Sequence, residues 1–547
     1  MKSLRFATAL PLLCLAACGD RPDVYEAPFG QPTAYGLERS VAILDDGAQR
    51  VLLLSPSDDR SLVREFVKVG PNVSYVATSF DKKRLFVLSA GDQPREVGKS
   101  ERPSLTVIER TADAKVVTRR FDMESAHRSI AVDPSGRYLA VYDGAGSKSG
   151  DARTQTLGTA VNFVSNPNEL IVIDLFESDP ARAIVPRTIR SFGGKPQRIH
   201  FTDPLTVPAG PRRLLVAEGT SEVTLLDLSH LHDAKARPEV TVRLPQSASQ
   251  RTLAPVQVVW NDGAKDRNDD ARIAIRLAGD PNVLSLTLGA PAPGATNDFA
   301  TLPNLADVGG VPSDIAFVQT DLGTRIAALV PTARAGVLVE PDTSTTQSVA
   351  LGASYTNLAL VRTPPSAEPD VALLYGASAA GGVAFWTLGR IGTEAHRSIE
   401  PMDFGGSTTE LVDIPDIRGT GSSRKILKGP NDFIVLDLAT RSAAPLSTPG
   451  SYDIYIGSQG SRIWAYEAGG TRLAQVDLAT LHPRETTLYG RIDRVFELPT
   501  ISAKRQAIAV DLSNGVNATV LEGDNPDVDK STSYASLLLE GLEGAVR

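Results

Sequence analysis

Ser129-Ile130-Ala131-Val132-Asp133-Pro134-Ser135-Gly136-Arg137-Tyr138-Leu139-Ala140-Val141 sets the plan of the chain. Two short apolar runs flank Asp-Pro-Ser-Gly, in which Asp bonds its own backbone, Pro presets φ and Gly accepts a positive φ. The stretch predicts a tight antiparallel hairpin. Degenerate copies begin near Tyr75, Ile199, Val258, Ile315, Leu358, Leu411, Ile454 and Val495, nine in all with Ser129. A further apolar run ending in Asp-Leu follows several of them: Leu170 to Leu175, Val223 to Leu228, Ile434 to Leu438 and Ala474 to Leu478. The copies recur every 52 residues or so, close to the roughly 40 to 50 of a four-stranded blade. Helical periodicity is nearly absent. A short helical insertion is expected at Leu228 to Ala236, and Ala535 to Leu542 reads as strand or helix.

These features resemble the YVTN-type and lactonase-like bacterial β-propellers, with Asp133-Pro134-Ser135-Gly136 and Ile171-Val172-Ile173-Asp174 the best matches. The fold expected is all-β: one propeller of four-stranded antiparallel blades, about eight of them, with seven to nine allowed because the copies between about 250 and 410 are eroded. The expected organisation is a signal peptide over 1–17, a lipidated cysteine and tether over 18–37, and the propeller over 38–547. The runs Ser40 to Leu44, Val51 to Leu54 and Leu62 to Val69 read as three outer strands. A C-terminal strand is expected to complete their blade and close the ring.

The N-terminus carries an address. Lys2 and Arg5 precede an apolar run from Phe6 to Ala17, too short for the roughly 20 residues that cross a bilayer. Leu15-Ala16-Ala17-Cys18 resembles the bacterial lipobox, which implies cleavage before Cys18 and lipidation of its thiol, with palmitate among the acyl chains expected. Gly19 stands directly after the cysteine, which by the same resemblance favours the outer over the inner membrane. Cys14 would leave with the peptide, so disulfides and cysteine-bound metals are excluded from the body. A net charge of -8 without a basic run excludes nucleic acid as the natural partner.

Candidate sites are few. The polar, Gly-rich Asp143 to Pro167 stretch is a long insertion between strands, with Lys148, Asp151 and Arg153 as its ligand or partner contacts. Asp266, Asn268 and Asp270 have the alternate spacing of a calcium loop, but Ala271 replaces the expected Gly and three cations flank them; the competing reading is a solvated turn. The expectation is therefore no cofactor, with calcium at this loop as its alternative. His230 and His232 are the only clustered histidines, open to metal binding or to a plain surface connection. Glu124 and His127 stand where a channel-facing group would lie. Trp260, Trp386 and Trp464 read as packing between blades rather than sugar platforms.

No nucleophile elbow, zinc-protease, Walker or dinucleotide motif occurs. The resulting expectation is an anchored envelope lipoprotein whose propeller binds a protein or polymer without catalysis. Its alternatives are a lactonase-like hydrolase working in the channel and a small-ligand or sugar receptor.

Overall fold

The computed structural model describes residues 31–539, outside 93–99, 112, 145–165, 167, 191, 193–194, 234–238, 247–252, 264–269, 321–322, 362–370, 377–381, 389–398, 404–409, 415–423, 430–432, 439, 447–452 and 458–460. Ten four-stranded antiparallel sheets follow one another along the chain. They span 33–68, 73–122, 129–188, 198–243, 255–307, 314–350, 357–403, 410–446, 453–492 and 494–534, and are numbered here as blades 1 to 10. Blade 4 adds a small hairpin, Leu205–Val207 with Gly210–Arg212.

Burial differs by strand, and the sequence shows why. Second and third strands are covered on both faces by neighbouring blades, so they are continuous apolar runs: Val41–Asp45, Tyr138–Tyr142 and Leu214–Glu218 are buried at every position. Fourth strands meet water and are mixed, as in Val116–Asp122 and Pro483–Ile492. First strands of successive blades approach one another, as Val73–Thr78 does Ser129–Val132, which places them at the narrow centre.

The core is a ring of ten apolar layers, one between each pair of neighbouring blades. Phe86, Leu105, Ile130 and Leu139, for example, join blades 2 and 3. The last layer joins blade 1 to blade 10 through Ile43, Leu52 and Leu54 against Leu498, Ile508, Val520, Leu537 and Leu538. One close approach matters here: a Cβ on Gly336 would lie 2.6 Å from the Trp386 ring, so only glycine lets that indole pack flat between blades 6 and 7.

Two expectations are corrected. The ring has ten blades, not about eight, and all nine hairpins read from the sequence are blades 2 to 10. The tenth is blade 1, which is complete in itself: its first strand is Thr33–Gly36, pairing with Val41–Asp45, and among the described residues no C-terminal strand enters it. Among the described residues no helix is long and apolar enough to cross a membrane.

Candidate functional site

Because the strands alternate in direction, the turns joining strands one to two and three to four lie on one face of the ring. On this face the recurrent Asp that ends the third strand caps its own turn. Asp174 accepts from Phe176 N at 3.0 Å, Asp227 from Ser229 N at 2.9 Å and Asp477 from Ala479 N at 2.8 Å. An arginine at the start of the second strand then pairs with the acid, Arg137 with Asp174 at 2.9 Å and Arg424 with Asp437 at 3.2 Å. Glu109 takes the same place against Arg84 at 2.8 Å. Several arginines also reach the next blade, Arg84 to Gly136 O at 2.8 Å and Arg272 to Asp342 at 2.9 Å. The Asp-Leu signature is therefore first a structural staple.

Blade 4 elaborates the staple. A 3-10 turn, Leu228–His230, sends the two clustered histidines apart. His230 Nε2 lies 2.8 Å from Asp298 of blade 5, and His232 Nε2 lies 3.4 Å from Asp174 of blade 3. They do not converge on one cation. Asp227, His230 and Asp298 do place their ligand atoms within 4.8 Å of one another. However, Arg212 occupies that space, 3.3 Å from Asp227 and 2.6 Å from Asp298. The His230 bond, then Arg212, holds the Asp298 carboxyl below its ordinary range. The donor set fits a divalent cation poorly while that guanidinium stays.

The equivalent place in blade 9 is open. A cleft of about 400 Å³ lies between blades 9 and 10, walled by Arg462, Gln475 and Asp477 and by Thr480, His482 and Arg484 of the following turn and strand. Asp524 of blade 10 closes it. Arg462 pairs with Asp524 and donates to Gly523 O, as Arg212 pairs with Asp298 in blade 4. Backbone N–H groups, Thr480 first, hold the Asp477 carboxyl below its ordinary range. Among the described residues the Arg484 guanidinium donates only to Asp524 O, at 3.3 Å, and the His482 imidazole makes no hydrogen bond or ion pair.

On the opposite face, polar groups link the starts of first strands. Gln257 donates to Asp314 at 2.6 Å, Leu358 N donates to Asp314 at 2.7 Å, and Arg494 and Lys428 each lie 3.1 Å from Asp453. Burial pushes the Asp314 carboxyl up despite these donors. Near this end, His200 Nε2 sits 2.8 Å from Glu218, which is buried and also paired with Arg198 at 2.6 Å.

The sequence-predicted residues fall as follows. Cys18, Lys148, Asp151, Arg153, Asp266 and Asn268 lie outside the described residues; Asp270 is exposed, with its carboxylate 3.9 Å from Arg272. His127 is buried rather than channel-facing, and Glu124 is exposed and paired with Arg102 at 2.8 Å. Trp386 and Trp464 are wholly buried, while Trp260 is half-buried against the blade 4 to 5 layer. The blade 9 cleft was missed. Its signal is a second copy of Asp-Leu-x-x-Leu-His, at 227–232 and 477–482.

No family model matches the chain, and no curated protein matches it. Solved structures do align with it. Dihydro-heme d1 dehydrogenase NirN, in complex with DHE, shares 11% identity over 79% of this chain and 76% of its own, at a TM-score of 0.38. Apo AztD from Citrobacter koseri shares 11% over 77% of this chain and 96% of its own, at 0.33. A second AztD structure from that organism shares 10% over 76% and 96%, also at 0.33. At such TM-scores the likeness carries no argument about activity; what the chain is, on its own ten sheets, is a β-propeller.

Proposed function

We propose that this protein is a binding module of the bacterial cell envelope, a propeller of the YVTN-like or lactonase-like kind held to a membrane through lipidated Cys18. Its partner is an envelope protein or polymer, met by the face that bears the staples. The observation that carries the reading is the blade 9 cleft, lined by the largely uncommitted Arg484 and His482. The same face exposes Phe80, Phe176 and Ile501 in its turns, each more than half accessible.

In-cell crosslinking and pull-down from detergent-solubilised membranes tests it, with Cys18→Ala and Phe80→Ser/Ile501→Ser forms alongside. One envelope component should co-purify with the unaltered chain and be lost from both variants. Membrane-bound protein that captures nothing would overturn the reading.

A second reading is hydrolysis in the channel. The half-exposed His200, oriented by the buried Glu218, has the imidazole-carboxylate geometry of a general base. Lactone turnover by the purified protein that His200→Ala abolishes would replace the first reading with this one.

A further inference from the structure

The propeller contains its own control for the blade 9 cleft. Asp227-Leu228-Ser229-His230-Leu231-His232 and Asp477-Leu478-Ala479-Thr480-Leu481-His482 end equivalent third strands. Strand register extends the match outward, because Leu225 pairs with Val240 as Gln475 pairs with Arg484. In blade 4 the His230 imidazole lies against Asp298 beside Arg212, Leu225 is fully buried in the blade 4 to 5 layer and Val240 packs against that layer. In blade 9 those three positions are Thr480, Gln475 and Arg484. Solid packing has been exchanged for hydrogen-bond donors and about 400 Å³ of space.

The two acids in the cleft are already committed. Asp477 receives the turn N–H groups of Ala479 and Thr480, at 2.8 and 3.0 Å, and Asp524 carries Arg462. Gln475 donates to Gly523 O. The Thr480 hydroxyl donates to Asp477 at 3.4 Å, so what remains to face an incoming group is the Arg484 guanidinium and the His482 imidazole. A planar fork of N–H donors beside an imidazole matches the oxygens of a carboxylate or phosphate.

We infer that the blade 9 cleft binds an oxyanion, the carboxylate or phosphate of a small ligand or of a polymer unit, with Arg484 and His482 as its main donors. The volume is that of a small ligand site and exceeds a bare anion, so the oxyanion is one end of something the size of a sugar acid or sugar phosphate. This inference rests on the binding-module reading and names the chemistry of its site.

The test uses the full-length protein in detergent, titrated with inorganic phosphate, with D-glucuronate and with uncharged glucose, by calorimetry. Phosphate and glucuronate should bind and glucose should not; a preference between the first two distinguishes phosphate from carboxylate as the natural group. Arg484→Val, which installs the residue the fold already accepts in blade 4, should weaken binding about tenfold or more. Thr480→His should fill the cleft and abolish binding with the melting temperature unchanged. His230→Thr should open blade 4 without creating a second oxyanion site, because Leu225 and Val240 remain. Failure of both anions to bind the unaltered chain, or binding indifferent to Arg484→Val and Thr480→His, would overturn the inference. Should both anions fail while crosslinking still captures a partner, only the oxyanion chemistry falls; should phosphate bind while no partner is captured, only the envelope-partner reading falls.

Discussion

His127 shows how a single position escapes a sequence reading. It stands just before a first strand, where a channel group is expected, yet it is buried in the linker between blades 2 and 3, where among the described residues both ring nitrogens lack hydrogen-bond partners. No local pattern distinguishes a linker histidine turned inward from one turned to the channel. Burial pushes its pKa from 6.5 to about 4, against the pull of Asp143. The unfolded chain takes up this proton below about pH 6.5 and the folded chain only below about 4, so between those values the unfolded state binds more protons. Stability is therefore complete above that window and falls as pH drops through it, by about 3 kcal/mol over the whole span. Urea unfolding at pH 7 and pH 4.5 should show that loss, and His127→Leu should remove it. An identical pH dependence in the two proteins would refute the assignment.

At the scale of elements, the hairpin turn repeats with its geometry intact and its sequence eroded. Gly136 has φ 72°, and the residues in its place in blades 2 and 10, Lys82 and Ala503, have φ 57° and 62°. Each donates its N–H three residues back, to Asp133, Ser79 and Thr500. A side chain at positive φ costs about 1 kcal/mol. Once glycine's extra unfolded-state entropy is counted, Ala503→Gly should thus stabilise and Gly136→Ala destabilise, each by about 0.5 kcal/mol. Denaturant midpoints of the two variants should move in opposite directions. Second and third strands were legible because burial on both faces demands unbroken apolar runs. Fourth strands were not, since water on one side leaves Val116–Asp122 and its counterparts without a firm pattern. The same limit hid the cleft: Thr480, Gln475 and Arg484 look like ordinary surface residues until blade 4 shows what they replaced.

For the whole molecule, closure is where sequence reasoning and structure part. The first strand of blade 1 is only four residues, Thr33–Gly36, short enough to read as tether, so the sequence predicts a strand from the far end. Instead two complete blades meet side by side. Their seam is Leu537 and Leu538 buried against blade 1, with Arg50 donating to Leu538 O, Gln506 to Ser57 O at 2.8 Å and Leu62 N to Tyr534 Oη at 3.2 Å. No backbone ladder crosses it, so the seam resembles the other nine interfaces except that no chain link holds it. In a ring whose units touch only their neighbours, an interface lacking that covalent tie pays the largest loop entropy to close and is the first to open. Leu538→Ala, which empties a wholly buried site, should cost about 2 to 4 kcal/mol in denaturant unfolding. Hydrogen exchange should then quicken in blades 1 and 10 before any other blade, whereas a comparable truncation at the blade 2 to 3 layer, Leu139→Ala, should leave that order unchanged. Uniform acceleration around the ring in the Leu538→Ala protein would show that closure is no weaker than the linked interfaces.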